Sequence, residues 1–388
     1  MSREQEPLLA SESGSLEAAQ PVPHTRSSPL LRTVLTSVFV LFMLAAAHLL
    51  MVAINAVEVK VDPPRPAEGL SARMFNDRPI AEELDAALLK AHTPEKRQVL
   101  QAALSKVKAG EPLELHTLPV TGFLVYMTLG LTLLGVLLMW TTSRIKSDAA
   151  QSIVGIFAGN LMWTGVEYGL TIAARTLGIA KAVGVYDGQV VAIYGEYTLM
   201  KHTWGVMALI FGYLLFLESS RCPIFLWWRK AVPTMRGPIV SGRIDNYGPR
   251  SAFQYATTVW GFYLLLLWAY DDRVFGVHGY FTKATLFFSI AGGFYTLYRL
   301  YQQPSWGTAI RYAVGAMIIV WTPIEIVGKW GLLREPWLIL RPDMAVTFFG
   351  GLVLGTIWLW RAQRKPAKPV VKAPAFARDG STIPPAVA

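Results

Sequence analysis

The sequence predicts an all-α integral membrane protein of about eight transmembrane helices, arranged as two parallel four-helix repeats, with a small external helical hairpin. Three observations carry this. The chain of 388 residues is 53% hydrophobic and 16% charged, whereas soluble domains carry about 25% charge. Its apolar residues fall into runs near the roughly 20 residues that cross a bilayer. Its Lys and Arg collect between those runs. The formal charge of +10 therefore reads as membrane flanks, with the lipid bilayer as partner and no nucleic acid expected.

In chain order, residues 1–30 are polar, with Ser, Glu and Pro, and read as a disordered cytoplasmic segment. Glu4-Gln5-Glu6-Pro7-Leu8-Leu9 matches an acidic-dileucine sorting pattern, a short pattern that also arises by chance. No cleavable signal peptide is expected, because the first apolar run begins near Leu30 and is too long for a signal core. That run gives the first span, 31–56. Segment 57–118 lies outside. Spans at 119–142, 150–174 and 197–219 make up 119–219. A basic cytoplasmic loop, 220–252, carries Arg221, Arg229, Lys230, Arg236, Arg243 and Arg250. Spans at 253–271, 280–299, 308–330 and 342–361 make up 253–361, and 253–271, with Gln254, is the weakest. The tail 362–388 reads as disordered and cytoplasmic. The Lys/Arg bias places both termini in the cytoplasm. The lone Cys222 excludes an internal disulfide and any multi-cysteine metal site.

The external segment has helical spacing over Arg78–Ala91 and Thr93–Ala109. Thr93 is suited to cap the second helix, Pro94 to take its first position and Gly110 to stop it. A hairpin this small buries little by itself, so it is expected to lean on the bundle or on a membrane or external partner.

The candidate site comes from a recurrence. Trp163-Thr164-Gly165-Val166-Glu167 in the third span and Trp321-Thr322-Pro323-Ile324-Glu325 in the seventh are nearly the same pattern. Each puts an acid in an apolar run, where ionisable residues are costly and mark function. The recurrence implies an internal repeat, spans one to four against five to eight. Counting from the span ends, Glu167 and Glu325 lie roughly 8–10 Å deep, His48 on the first span roughly 12 Å and His202 on the fourth roughly 8 Å. All four fall in one layer of the outer leaflet. Glu196, Lys201, Lys329 and Asp343 lie above them, and Asp271, Asp272 and His278 in an external turn. Lys329 follows Glu325 by four residues and is placed to pair with it.

Each of these also has an ordinary reading. His48 can donate to a nearby carbonyl, Glu196 can cap its helix, and Asp271 and Asp272 can be solvated. Glu218 reads as an interfacial acid, and with Asn160 it is the only candidate to continue a pathway inward. No phosphate-binding loop, nucleophile elbow, HExxH or haem motif occurs. Three functions stay open. Glu167, Glu325, Lys329 and Glu196 would serve a cation- or proton-coupled carrier of a small solute. His48, His202, Glu167 and Glu325 would bind a divalent metal in an enzyme acting on an apolar or lipid substrate. A non-catalytic subunit would use 57–118 to bind a partner.

Overall fold

The computed structural model describes residues 28–61, 64–66, 79–91, 93–194, 196–216, 227, 231, 246–271 and 274–364. The dileucine pattern, Glu218, Cys222, Asp272, most of the basic loop and the tail beyond 364 lie outside these residues, so the readings made for them stay as expectations. What is described is mostly helical. Four helices are long and apolar enough to cross a membrane: α1 (Pro29–Val61), α4 (Gly122–Thr141, with the turn to Arg144), α10 (Trp306–Lys329) and α11 (Pro342–Arg364). Helices α5 (Asp148–Thr176), α8 (Tyr247–Ala269) and α9 (Tyr280–Tyr301) have the length but are more polar. The reason is visible in α5, which is central. Its Ser152, Asn160, Thr164 and Glu167 are buried against neighbouring helices rather than turned outward.

The helix starts are written locally. Thr121 and Ser147 accept backbone N–H bonds at the starts of α4 and α5. Ser305 and Thr308 form a reciprocal capping box at the start of α10. The bundle core joins α1, α5, α8 and α10 through Phe39, Met43, Ile156, Trp163, Tyr255, Met317 and Trp321. Helices α5 and α8 approach closely, because Gly159 lies directly under the Ala252 carbonyl. Helix α4 lies along α5, and α9 lies along α10. Helix α5 packs on α8, as α10 packs on α1.

The fourth expected span is not one helix. It is α6 (Glu196–Lys201) followed by α7 (Trp204–Phe216), broken at His202–Thr203. The Trp260 indole on α8 donates to Thr203 Oγ1 at 2.9 Å, which holds the break against the bundle.

Helices α2 (Ile80–Lys90) and α3 (Pro94–Lys108) form the expected hairpin, with Thr93 capping α3. The hairpin does not stand alone. It covers a four-stranded sheet of order β1-β2-β4-β3, made of β1 (Arg65–Pro66), β2 (His116–Thr117), β3 (Ala180–Tyr186) and β4 (Gln189–Tyr194). Strands β1 and β2 pair antiparallel, β2 and β4 parallel, and β3 and β4 antiparallel. Leu84, Leu100 and Leu104 from the helices meet Ala180, Val183, Val190 and Ala192 from the sheet. The support that the hairpin needed is thus the segment between α5 and α6. A buried bidentate pair, Glu58 at the end of α1 with Arg175 at the end of α5, ties the lobe's base to the bundle; Nη2 lies 3.1 Å from Oε2. Arg175 also donates to the Pro119 carbonyl at 3.2 Å.

Candidate functional site

Helices α1, α5, α8 and α10 enclose a cavity of about 40 Å³. His48, Glu167 and Glu325 all line it, together with Trp163, Thr164, Trp321 and Thr322, so both copies of the recurring pattern face one space. That space has room for about three waters.

His48 is the most constrained member. Its Nδ1 lies 2.8 Å from the Leu44 carbonyl one turn back. A carbonyl only accepts, so Nδ1 carries a hydrogen and the chemistry of the ring falls to Nε2. Nε2 faces the Tyr263 hydroxyl at 3.2 Å and Glu325 Oε1 at 3.6 Å. Neutral imidazole accepts from Tyr263. Imidazolium turns Nε2 into a donor, and Glu325 is the anion beside it. The ring lies between Trp321, 5.7 Å away, and Tyr263, 6.5 Å away, both within 30° of parallel. The ordinary reading of His48, donation to a nearby carbonyl, is met at Nδ1, and Nε2 is left facing Tyr263 and Glu325.

Glu167 is 2% exposed on α5 and lies within electrostatic reach of His48 and Tyr255. Two turns earlier, Asn160 accepts a 3.0 Å hydrogen bond from the Tyr255 hydroxyl. Asn160 therefore extends the polar wall of the cavity along α5. On α10, Pro323 supplies no N–H and withholds the helical bond that the Ile319 carbonyl would receive, two residues before Glu325. The Trp321 indole N–H is buried with no acceptor among the described residues. Trp321 also packs on Trp337, 4.5 Å away, from the 3₁₀ turn Pro336–Leu338 between α10 and α11. That turn lies against α1 and closes one end of the site.

The remaining expected residues go elsewhere. Glu325 Oε1 lies 3.6 Å from His48 Nε2 on another helix, a partner that the spacing along the chain did not suggest. The Lys329 ammonium lies 5.8 Å from the Tyr270 ring centre. His202 is exposed at the α6–α7 break and does not line the cavity. Among the described residues no group of three or more His, Cys, Asp or Glu is arranged to hold a metal, so the four-residue metal set is not assembled. The physical reason is the helix break, which takes His202 out of the register that a continuous span would give it. Glu196 opens α6, and its side chain lies outside the described residues. Asp271 is not simply solvated; it forms an ion pair with Lys201. Asp343 pairs with Arg341 at 2.8 Å on the surface, and His278 stacks on Trp330 at 5.8 Å.

Sequence reasoning missed Tyr263 and Tyr255, which read as ordinary span aromatics. It also missed Glu335, in the loop before the 3₁₀ turn. Burial first and the Glu325 charge second push the Glu335 carboxyl above the usual carboxylate range, against the opposing pull of His48 and Lys329. A loop acid next to Arg334 gave no sign of this in the sequence. No family model, no curated protein and no solved structure matches the chain.

Proposed function

We propose that this chain is a multi-pass membrane protein with eight spans and both termini in the cytoplasm, and that it is a cation- or proton-coupled carrier of a small solute. The observation that carries the reading is the convergence of His48, Glu167 and Glu325, from three helices, on one small cavity. The spans beyond the four apolar helices rest on the length of α5, α8 and α9, on α6–α7 taken together as a broken eighth span, and on the flanking Lys and Arg. The repeat is supported by the matching partners of α5 and α10 and by both Trp-Thr-x-x-Glu segments lining one cavity. Among the described residues, the lobe and the broken α6–α7 element have no counterpart in the second half.

The coupling follows from charge. Two carboxylates in a small, mostly apolar space are costly unless a proton or a cation compensates them. The same oxygens serve both, so binding a cation displaces a proton, and protonation releases the cation. His48 adds a second exchange position through Nε2. A site that takes either species on one side and returns the other elsewhere is the minimum that a coupled carrier needs.

The test is flux. Purified protein in proteoliposomes with an internal pH-sensitive dye should dissipate an imposed pH gradient faster than empty vesicles when a small monovalent cation is supplied on the opposite side as the exchanged species. Glu167→Gln and Glu325→Gln should fold, judged by size-exclusion profile, and lose that activity, whereas Ala at either position should also destabilise the fold by leaving buried partners unmatched. Full activity in both Gln variants would make these acids structural and sink the reading. Wild-type vesicles as tight as empty ones would favour the subunit reading.

A further inference from the structure

We propose that the cation taken by this cavity is a small protonated amine, of the size of ammonium or methylammonium, held between the carboxylates and the aromatic faces. The inference rests on the carrier reading and names the cargo class. Three properties of the cavity support it.

The first is sign. Among the described residues that line the cavity, none is Lys or Arg, and only His48 can become positive. Against Glu167 and Glu325 the lining favours a cation and repels an anion.

The second is the chemistry of the wall. A sodium or divalent ion surrenders its water only to a shell of about six oxygens. Here the Thr164, Thr322, Tyr255 and Asn160 oxygens are already hydrogen-bonded within the wall, and most of the lining surface is ring and aliphatic. An ammonium is satisfied by a mixed set. Its N–H groups donate to carboxylate, hydroxyl or amide oxygen, and its charge is attracted by aromatic faces within about 6 Å. The rings form a continuous series. Trp163 lies 6.1 Å from Tyr263, Tyr263 lies 6.5 Å from His48, and His48 lies 5.7 Å from Trp321. Trp163 and Trp321 come from α5 and α10, each four residues before its acid. Carboxylate and indole therefore reach the space from the same helix, twice.

The third is size. About 40 Å³ admits one ion the size of a few waters. Ammonium and methylammonium fit; tetramethylammonium does not.

The experiment is equilibrium binding of radiolabelled methylammonium to the purified full-length protein, beside the proton-flux assay on the same preparation. Saturable binding should be displaced by ammonium, and not by sodium at equal ionic strength or by tetramethylammonium. Glu167→Gln should weaken binding about 10- to 100-fold, the loss of a charge-assisted contact. Trp321→Leu should weaken it about 2- to 30-fold and Trp321→Phe less, the order that a ring–cation contact requires. If a variant fails to fold, the wild-type competition series decides alone. Equal displacement by sodium, or equal binding of tetramethylammonium, would overturn the amine assignment. So would absence of saturable methylammonium binding while proton flux persists, a result that leaves the carrier reading standing. Absence of both would remove the carrier reading as well.

Discussion

At the scale of single residues, the two ring nitrogens of His48 meet different partners. Nδ1 is fixed by Leu44, and Nε2 is left to choose between Tyr263 and Glu325. Removing the hydroxyl with Tyr263→Phe keeps the ring and deletes one hydrogen bond, worth about 1 kcal/mol. Proton flux should fall about fivefold, and its pH profile should move. An unchanged rate and profile would show that Tyr263 only packs. Glu335 gives a second residue-scale prediction, with a definite sign. Its raised pKa means that the folded chain binds this proton more tightly than the unfolded chain. Stability is therefore lost as pH rises out of the ordinary carboxylate range and through the raised value. Glu335→Gln removes the loss. Its melting temperature should exceed that of wild type at neutral pH, and the two should converge in acid. A lower melting temperature at neutral pH would mean that the Glu335 charge is stabilising, through Lys329.

At the scale of elements, the β3–β4 hairpin is legible in the sequence. Asp187-Gly188, between alternating Val183, Val185 and Val190, is the common signature of a two-residue hairpin turn. In the structure both turn residues have positive φ, 47° and 74°. Gly188→Ala puts a Cβ in that conformation and should cost about 1 kcal/mol, seen as faster proteolysis of the lobe in native protein. Within the bundle, the close approach of α5 and α8 sets a different demand. Gly159→Leu forces a side chain against the Ala252 backbone and should cost about 1–3 kcal/mol. A thermal shift in detergent measures it, and no loss would mean that the two helices can separate freely. The α6–α7 break was not legible, because residues 197–219 are apolar almost throughout and nothing in them forbids one helix. Its cause is tertiary, in the Trp260–Thr203 hydrogen bond and the Lys201–Asp271 pair.

At the scale of the whole molecule, the Lys/Arg bias predicts that the sheet-and-hairpin lobe faces outward. Ala91 is buried, so a label there reports poorly, whereas Leu89 is 87% exposed. In a Cys222→Ser background, Leu89→Cys should react with an impermeant maleimide on intact cells. Lys146→Cys, exposed at the opposite end of the bundle, should react only after permeabilisation. The reverse pattern would invert the topology and put the His48–Glu325 end of the cavity toward the cytoplasm.

The sequence by itself determined the helical class, the position of nearly every long helix, the caps at Thr93 and Pro94, and the two acids that deserved suspicion. These follow from local properties: apolar run length, capping chemistry and the cost of a charge among apolar neighbours. It also determined that Glu167 and Glu325 belong to one pattern. Only the tertiary structure decided which residues meet them. Depth along a helix can be counted from sequence, but the direction a side chain faces around the bundle cannot. His48 and His202 therefore looked equivalent at the same depth, and one lines the cavity while the other is exposed beside a broken helix. The approach of His48 to Glu325 is likewise tertiary, because packing of α1 against α10 brings together two residues far apart in the chain.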